Sequence, residues 1–193
     1  MNRAVFLDRD GVLIEDVDSL VRREDIRVLE GVAEALARLK AAGFKLVVVS
    51  NQTVVARGLL DEAAMLALHR LVESAVVSAG GHLDDFFFCP HHPKATVQFY
   101  RAACRCRKPQ PGLLLRAADE LQLDLRASFM VGDRVTDIVA GQRAGCRTVL
   151  VKTGRHLEPP IESAEPFDAA TQPDHACASL AEAATWILKT TRS

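Results

Sequence analysis

The sequence has few aromatic residues and lacks a long apolar run. Aromatic side chains make up 5% of its 193 residues, with a single Trp and a single Tyr. A bilayer-spanning helix needs about 20 consecutive apolar residues. No stretch approaches that length, and the apolar residues before Asp8 are too few for a signal peptide. These absences predict a cytoplasmic protein that does not bind a membrane.

The chain also lacks an excess of charge of either sign. It contains 24 Lys and Arg residues against 25 Asp and Glu residues, a net charge of -1. Proteins that bind nucleic acids usually concentrate positive charge, so no nucleic-acid partner is expected. Hydrophobic residues make up 49% and charged residues 25% of the chain, as in a globular protein. We expect one domain over residues 1–193, and a monomer.

Apolar strands alternate with amphipathic helices along the sequence. Continuous apolar runs predict buried strands over 4–7, 45–50, 85–89, 128–132 and 147–151. Apolar residues at helical spacing predict helices over 31–43, 61–79, 111–122 and 178–189, with a further helix that ends at residue 144. This alternation predicts an α/β fold with a central parallel sheet. The insertions after the first and third strands are short, so no separate cap domain is expected.

Two further segments are assigned by composition and by position on a helix. Residues 156–173 hold four of the eight prolines, which predicts a surface loop. His69 lies away from the apolar stripe of the helix over 61–79, and is predicted to be solvated.

Polar residues come directly after three of the predicted strands. The pairs after the first, second and fourth strands are Asp8 and Asp10, Ser50 and Asn51, and Asp133 and Asp137. Each pair alone is also typical of a solvated turn. The carboxyl ends of parallel strands lie at one edge of the sheet, where ligands bind, so the three pairs are expected to meet.

The residues after the first strand suit chemistry on a phosphate group. In an extended backbone Asp8 and Asp10 project to the same side while Arg9 projects to the other. One carboxylate can attack or hold Mg²⁺, and the other can move a proton. Gly11 then allows a sharp turn away from the strand.

Three of the five cysteines cluster with two histidines. Cys89 and His91 are followed, after twelve residues, by Cys104 and Cys106. Three thiolates and one imidazole form the closed four-ligand set of a structural zinc site. His92 is the alternative fourth ligand. We predict that zinc fastens the loop between residues 89 and 106.

Four signatures occur in an order that resembles phosphatases of the haloacid-dehalogenase superfamily. They are Asp8-x-Asp10-Gly11, Ser50 after a strand, Lys108 before Pro109, and Gly132-Asp133-x-x-x-Asp137. The resemblance covers nearly the whole chain. It implies a three-layer, Rossmann-like fold and hydrolysis of a phosphate ester through an aspartyl phosphate.

The resemblance also implies a role for each signature residue. Asp8 would be the nucleophile, and Asp10 would protonate the leaving oxygen and then activate water. Ser50 and Lys108 would hold the phosphoryl oxygens. Mg²⁺ would be bound by the carboxylate of Asp8, the backbone carbonyl of Asp10, and Asp133. Asp137 would support this site from outside the metal ligands.

The zinc loop narrows the resemblance to a subfamily that hydrolyses heptose bisphosphate or histidinol phosphate. The segments that carry it are Asp8-Arg9-Asp10-Gly11, Asn51-Gln52, Ala56-Arg57-Gly58, Cys89-Pro90-His91-His92-Pro93 and Cys106-Arg107-Lys108-Pro109. It favours His91 over His92 as the zinc ligand.

The resemblance implies a small phosphorylated sugar substrate, namely D-glycero-D-manno-heptose 1,7-bisphosphate, which loses its 7-phosphate on the route to nucleotide-activated heptose. Arg107 would bind the second phosphate. The substrate contacts implied are Asp8, Arg9, Asp10, Asp16, Ser50, Asn51, Gln52, Thr53, Arg107, Lys108 and Arg134.

Two segments depart from the subfamily pattern. Asp16-Val17-Asp18-Ser19 replaces a His-Gly-Tyr-like sequence, and Thr53-Val54-Val55 replaces a Ser-Gly-Ile-like one. They leave the sugar open, with histidinol phosphate or another small sugar phosphate as alternatives. A phospho-accepting signalling module and a zinc-stabilised binding protein are the alternatives from other classes. Mg²⁺-dependent release of phosphate from an aryl phosphate would separate the enzyme from both.

Overall fold

The structure is a computed structural model that describes residues 2–156, 168 and 171–191. Its strands are β1 (Ala4–Leu7), β2 (Lys45–Asn51), β3 (Asp85–Cys89), β4 (Phe129–Gly132), β5 (Arg147–Val151) and β6 (His175–Cys177). Its α-helices are α1 (Val32–Ala41), α2 (Thr53–Ala56), α3 (Glu62–Ser78), α4 (Gly112–Leu121), α5 (Val135–Ala144) and α6 (Leu180–Thr190). No helix of this part of the chain is long and apolar enough to cross a membrane.

The strands form one parallel sheet in the order β3-β2-β1-β4-β5-β6. The chain builds outward from β1 to β3 and then returns to the other side of β1. The direction of winding therefore reverses between β1 and β4, which pair along their length. In parallel sheets ligands bind beyond the carboxyl ends of the strands at such a reversal. The topology thus places the ends of β1 and β4 at the expected binding position.

Apolar side chains fill both faces of the sheet. Val5 and Leu7 of β1 pack into a core with residues of α1, α3 and α6, whereas Ala4 and Phe6 pack into a second core with residues of α4 and α5. A strand buried on both faces needs a continuous apolar run, which is the pattern seen in β1 and β2. The predicted three-layer α/β fold with a central parallel sheet is confirmed.

The edge strand β6 differs from the prediction. His175–Cys177 pairs in parallel with β5, beyond the five strands predicted from apolar runs. The strand has three residues and only Cys177 is buried, so it carries no apolar pattern to detect. Most of the predicted loop over 156–173, residues 157–167 and 169–170, lies outside the described residues.

The prediction that His69 is solvated is wrong. Its side chain is buried in α3, and its ring stacks on Phe86 of β3 with a centroid separation of 3.3 Å. Burial, together with the positive charge of Arg9, lowers the pKa of His69 to about 3. His69 is therefore a neutral, buried aromatic residue. It lies outside the main apolar stripe of α3, but Phe86 of β3 covers it and extends the buried surface of the helix.

Asp84 lies in the loop before β3, and its carboxylate contacts residues of α1 and of the amino end of β2. Its carboxylate lies 2.5 Å from Nζ of Lys40 and 3.1 Å from Nζ of Lys45, and accepts a 2.9 Å hydrogen bond from the backbone N–H of Leu46. Burial raises the pKa of Asp84, but these contacts outweigh it and lower the pKa to about 2. The folded state therefore favours the ionised carboxylate.

We expect Asp84→Asn to lower the free energy of unfolding by about 1 kcal/mol near neutral pH, because it removes two ion pairs at the surface. The folded pKa lies below the usual value, so the stabilisation is present above about pH 4 and is lost as the pH falls towards 2. Urea unfolding of both proteins between pH 7 and pH 2.5 measures this. A difference that stays constant over the whole range would contradict the assignment.

Candidate active site

Asp8 lies directly beyond β1, at the edge of the sheet. Its Oδ1 atom is 3.0 Å from Nζ of Lys108 and accepts a 2.8 Å hydrogen bond from the backbone N–H of Arg9. The Asp8 side chain retains 12% exposure. A carboxylate that is fixed by an ammonium group and still open to a cleft is arranged as a nucleophile would be.

Lys108 is buried between the tips of β1, β2 and α5. Its Nζ atom also lies 2.7 Å from Oδ1 of Asp137 and donates a 2.7 Å hydrogen bond to the carbonyl of Val49. Burial lowers the pKa of Lys108, but the charges of Asp137 and Asp8 outweigh it and raise the pKa. Lys108 therefore places a permanent positive charge beside Asp8.

Asn51 anchors the segment that carries Lys108. Its Nδ2 atom donates a 3.0 Å hydrogen bond to the carbonyl of Lys108, and its Oδ1 atom accepts one of 3.0 Å from the backbone N–H of Lys108. The amide of Asn51 thus fixes Lys108 to the end of β2. Its predicted contact with substrate remains a prediction.

Arg9 does not project away from Asp10, contrary to the alternation predicted for this segment. The strand ends at Leu7, so residues 8–10 do not follow the extended geometry. The Nε and Nη2 atoms of Arg9 donate to the Asp10 carboxylate over 2.9–3.1 Å. Nε2 of Gln52 donates to the same carboxylate, at 3.2 Å, and to Oγ of Ser50, at 2.8 Å. Asp10 is therefore oriented by two side chains.

Asp133 is enclosed by two glycines. A Cβ atom on either Gly11 or Gly154 would collide with Oδ2 of Asp133, so both positions require glycine. That oxygen accepts a 2.7 Å hydrogen bond from the backbone N–H of Arg155. The Oδ1 atom is buried and has no hydrogen-bond partner in the described part of the chain. A buried carboxylate oxygen without a hydrogen-bond partner is available to coordinate a cation.

Three carboxylates converge at this point. Oxygen atoms of Asp8, Asp133 and Asp137 all lie within 4.8 Å of one another. Burial, followed by the charges of Asp137 and Asp8, raises the pKa of Asp133 to about 8. Such a group of hard oxygen donors fits Mg²⁺, which would relieve the repulsion. Asp137 has a partner on each oxygen, Nζ of Lys108 and the backbone N–H of Arg134, which fits a supporting position rather than a ligand.

The Cys and His side chains of the zinc loop also meet. Donor atoms of Cys89, His91, Cys104 and Cys106 lie within 4.8 Å of one another, and the sulfur atoms are 3.1–3.4 Å apart. Tetrahedral zinc with bonds of about 2.3 Å would hold sulfur ligands roughly 3.8 Å apart, so a small expansion accommodates the ion. His92 lies outside this group, and its Nδ1 atom accepts a hydrogen bond from the backbone N–H of Lys94.

Arg107 depends on the zinc-loop residues for its position. Its backbone N–H donates to Sγ of Cys104 at 3.3 Å, and its Nη1 atom donates to the carbonyl of His91 at 3.1 Å. Burial lowers the pKa of Arg107, and the sulfur groups partly offset this. Any ion held by the four ligands would therefore also help to fix the position of Arg107 in the cleft.

One cleft collects almost all of the predicted site residues. It is lined by Asp8, Arg9, Asp10, Asp16, Ser50, Asn51, Gln52, Thr53, Arg107, Lys108, Arg134 and Asp137. Asp133 lies against its floor, in the carboxylate group with Asp8. The predicted convergence at the sheet edge is therefore seen in the structure, and the role of each residue remains a prediction.

Comparison with known proteins gives the family. Residues 105–183 match the model of the HAD-hydrolase-like family. The D-glycero-beta-D-manno-heptose-1,7-bisphosphate 7-phosphatase of Photorhabdus laumondii is 44% identical over 162 residues, 83% of this chain and 86% of that protein. The protein of the same name from Escherichia coli K12 is 41% identical over 83% of this chain and 85% of its own. This chain belongs to the HAD-like phosphatase family.

A solved member of the HAD-like phosphatase family has the same fold. The crystal structure of D,D-heptose 1,7-bisphosphate phosphatase from B. bronchiseptica, complexed with magnesium and phosphate, superimposes with a TM-score of 0.80 at 34% identity. The alignment covers 97% of this chain and 99% of that one. The resemblance inferred from the four signatures is confirmed, and the chain is a phosphatase rather than a signalling module.

Sequence reasoning missed one part of the phosphatase site, the segment Thr153-Gly154-Arg155. Oγ1 of Thr153 donates to the carbonyl of Gly11, Gly154 packs against Asp133, and the guanidinium of Arg155 pairs with Asp16. The position of this segment in the sequence could have indicated its role, because it follows β5 and therefore lies at the same edge of the sheet as the other polar groups.

Proposed function

We propose that this phosphatase removes the 7-phosphate of D-glycero-β-D-manno-heptose 1,7-bisphosphate on the route to nucleotide-activated heptose. The observation that carries the proposal is the pair of adjacent cations in the cleft. Lys108 is buried against Asp8, whereas Arg107 points its guanidinium to a separate position supported by the zinc loop. Two positive groups at different positions suit a substrate with two phosphates. Relatives at 41–44% identity that carry this name support the same substrate.

Mg²⁺ would be held by carboxylate oxygens of Asp8 and Asp133 and by the backbone carbonyl of Asp10. The unpaired Oδ1 of Asp133 supports this ligand set. When bound, the ion neutralises negative charge on the phosphoryl group and aligns it. Zinc would be held by Cys89, His91, Cys104 and Cys106, as a structural ion.

The protein residues would carry the chemical steps. Asp8 attacks phosphorus and forms an aspartyl phosphate, while Lys108 and Ser50 hold the equatorial oxygens. Asp10 gives its proton to the leaving oxygen of the sugar, and then takes a proton from the water that releases phosphate. The contacts of Arg9 and Gln52 hold Asp10 as an oriented carboxylate, which is the form that takes the proton from water in the second step.

Side chains around the mouth of the cleft would contact the sugar. Asp16 and Thr53 line it from the loop after β1 and the start of α2, and Arg134 lines it from the residue before α5. A carboxylate at position 16 can accept hydrogen bonds from sugar hydroxyls. These contacts would set the preference for a heptose, and the relatives' names favour the β-anomer.

Arg107→Ala tests the assignment of the second phosphate. We expect kcat/KM for the heptose 1,7-bisphosphate to fall about 10- to 150-fold, which is the equivalent of 1.5–3 kcal/mol for a hydrogen bond to a charged group. The loss for the heptose 7-monophosphate should be much smaller, because it lacks the group that Arg107 binds. Steady-state kinetics on both substrates, with each anomer of the bisphosphate, gives the comparison.

Arg105→Ala is the matched control, since Arg105 is exposed on the same loop and does not line the cleft. It should leave both substrates unaffected. An equal loss on both substrates in Arg107→Ala would remove the support for a second phosphate. Higher kcat/KM for histidinol phosphate than for either heptose substrate would then identify the alternative activity.

A further inference from the structure

We propose that Arg155 is a positioning residue that fastens the Asp16–Ser19 loop over the cleft. Its Nε atom lies 2.7 Å from Oδ2 of Asp16, and its Nη2 atom pairs with Oδ1 of Asp18. Its backbone N–H meanwhile donates to Oδ2 of Asp133. One residue thus contacts both the carboxylate group at the floor of the cleft and the loop at its mouth.

The Asp16–Ser19 loop depends on side chains for its conformation. Residues 16–21 lie outside the helices and strands of the structure, so no helical or strand hydrogen-bond ladder fixes them. Leu20 anchors the end of the segment in the core, and Arg57 donates a 3.2 Å hydrogen bond to Oγ of Ser19. Val17 also packs against the core from within the loop, so apolar packing holds one side of the loop, and the contacts of Arg155, Arg134 and Arg57 hold its polar side.

Arg155 also neutralises negative charge at the entrance of the cleft. Asp16 and Asp18 place two carboxylates at the entrance of a cleft that must admit a phosphorylated, anionic substrate. Arg134 also approaches Asp16, but at 3.5 Å, so the closer neutralising charge is that of Arg155. Asp16 is the important partner, because its side chain is 14% exposed while that of Asp18 is 87% exposed. An ion pair with a fully solvated carboxylate contributes little.

The guanidinium of Arg155 contacts Asp16 and Asp18 rather than Asp8 or Asp10, and a substitution of the side chain keeps the backbone N–H that donates to Asp133, so its effect should appear in substrate binding. The inference rests on the proposed function for the choice of sugar substrate. For a small aryl phosphate, which needs the floor of the cleft but not the loop, Arg155 should matter little. This difference separates a loop-positioning residue from a residue that supports the whole site.

The test measures kinetics of Arg155→Ala and Arg155→Lys on the heptose bisphosphate and on p-nitrophenyl phosphate. We expect Arg155→Ala to raise KM for the bisphosphate by about tenfold, with kcat and the aryl phosphate reaction changed less than about threefold. Arg155→Lys keeps the charge and should restore much of the binding. Lys152→Ala is the matched control, because Lys152 is an exposed cation on the same segment that does not line the cleft, and it should change KM for the bisphosphate less than twofold.

Limited trypsin digestion gives a readout that does not depend on the substrate. Arg22 and Arg23 are exposed just beyond the loop, and cleavage there requires the segment to open. Mass spectrometry should show faster cleavage after these residues in Arg155→Ala than in the wild type or in Arg155→Lys. If heptose bisphosphate is not turned over but cleavage accelerates, the proposed substrate fails and the loop assignment stands. Unchanged cleavage together with unchanged KM would overturn the role of Arg155.

Discussion

Asp8→Asn is expected to abolish phosphate release, with a loss of kcat on the order of 10⁴-fold or more. The amide that replaces the carboxylate cannot attack phosphorus, and it is a much weaker ligand for Mg²⁺. It also removes the 3.0 Å ion pair with Lys108. Release of inorganic phosphate from p-nitrophenyl phosphate and from the heptose bisphosphate, in the presence of Mg²⁺, measures the effect.

Loss of folding would not explain this result. Asn has the size of Asp, and the ammonium of Lys108 keeps its contacts with Asp137 and the carbonyl of Val49. The circular dichroism spectrum and melting temperature should therefore stay close to those of the wild type. Asp10→Asn is the comparison, with an expected loss of about 10²–10⁴-fold for removal of acid and base assistance. Near-normal turnover by Asp8→Asn would rule out the covalent mechanism.

The sequence was sufficient to predict the sheet edge and the residues that meet there. In a parallel sheet the backbone itself places the residues after each strand on one rim, so Asp8, Ser50 and Asp133 could be grouped without knowledge of loop conformations. The clustering of Cys89, His91, Cys104 and Cys106 was predictable from their spacing, because two closely spaced pairs of this composition are typical of a structural zinc site.

The residues that were missed depend on contacts between distant segments. Arg155 contacts Asp16 and Asp18 across the mouth of the cleft. Neither the sequence around residue 155 nor that around residue 16 indicates this contact. His69 was assigned to solvent from the periodicity of its own helix, while the aromatic side chain that covers it belongs to β3. The spacing of apolar residues within one helix or strand identifies its main buried face. It does not reveal side chains of other elements that cover residues beside that face.

The ion pair between Arg9 and Asp10 shows a different limit. Alternation predicted opposite directions for neighbouring side chains, but it holds only while the backbone remains extended. The chain leaves the strand after Leu7 and turns at Gly11, so the rule fails at the positions where function was expected. Active-site residues at strand ends are therefore easier to group than to orient from sequence.

Cys104→Ser is expected to lower the zinc content and to destabilise the segment between Cys89 and Cys106. In this segment Phe99 is 81% exposed, and few tertiary contacts support the ligand cluster, among them the hydrogen bonds from the Val97 N–H to the carbonyl of Ala56 and from Tyr100 Oη to Glu62. Loss of a structural metal ligand in a domain with its own core should cost about 2–3 kcal/mol, or roughly 5–10 °C in melting temperature. Elemental analysis and calorimetry measure the two quantities.

Activity should fall in Cys104→Ser even though no zinc-loop ligand lies among the proposed catalytic groups. Sγ of Cys104 accepts the backbone N–H of Arg107, so loosening the cluster displaces Arg107 and perturbs Lys108, the next residue, which Asn51 still anchors. Turnover of the aryl phosphate and of the bisphosphate should therefore both decline, unlike the selective loss expected for Arg107→Ala. Cys177→Ser is the control, because Cys177 is buried away from the cluster and its replacement should leave the zinc content unchanged. Full zinc retention by Cys104→Ser, with unaltered melting, would remove Cys104 from the metal site and leave the position of Arg107 without its proposed support.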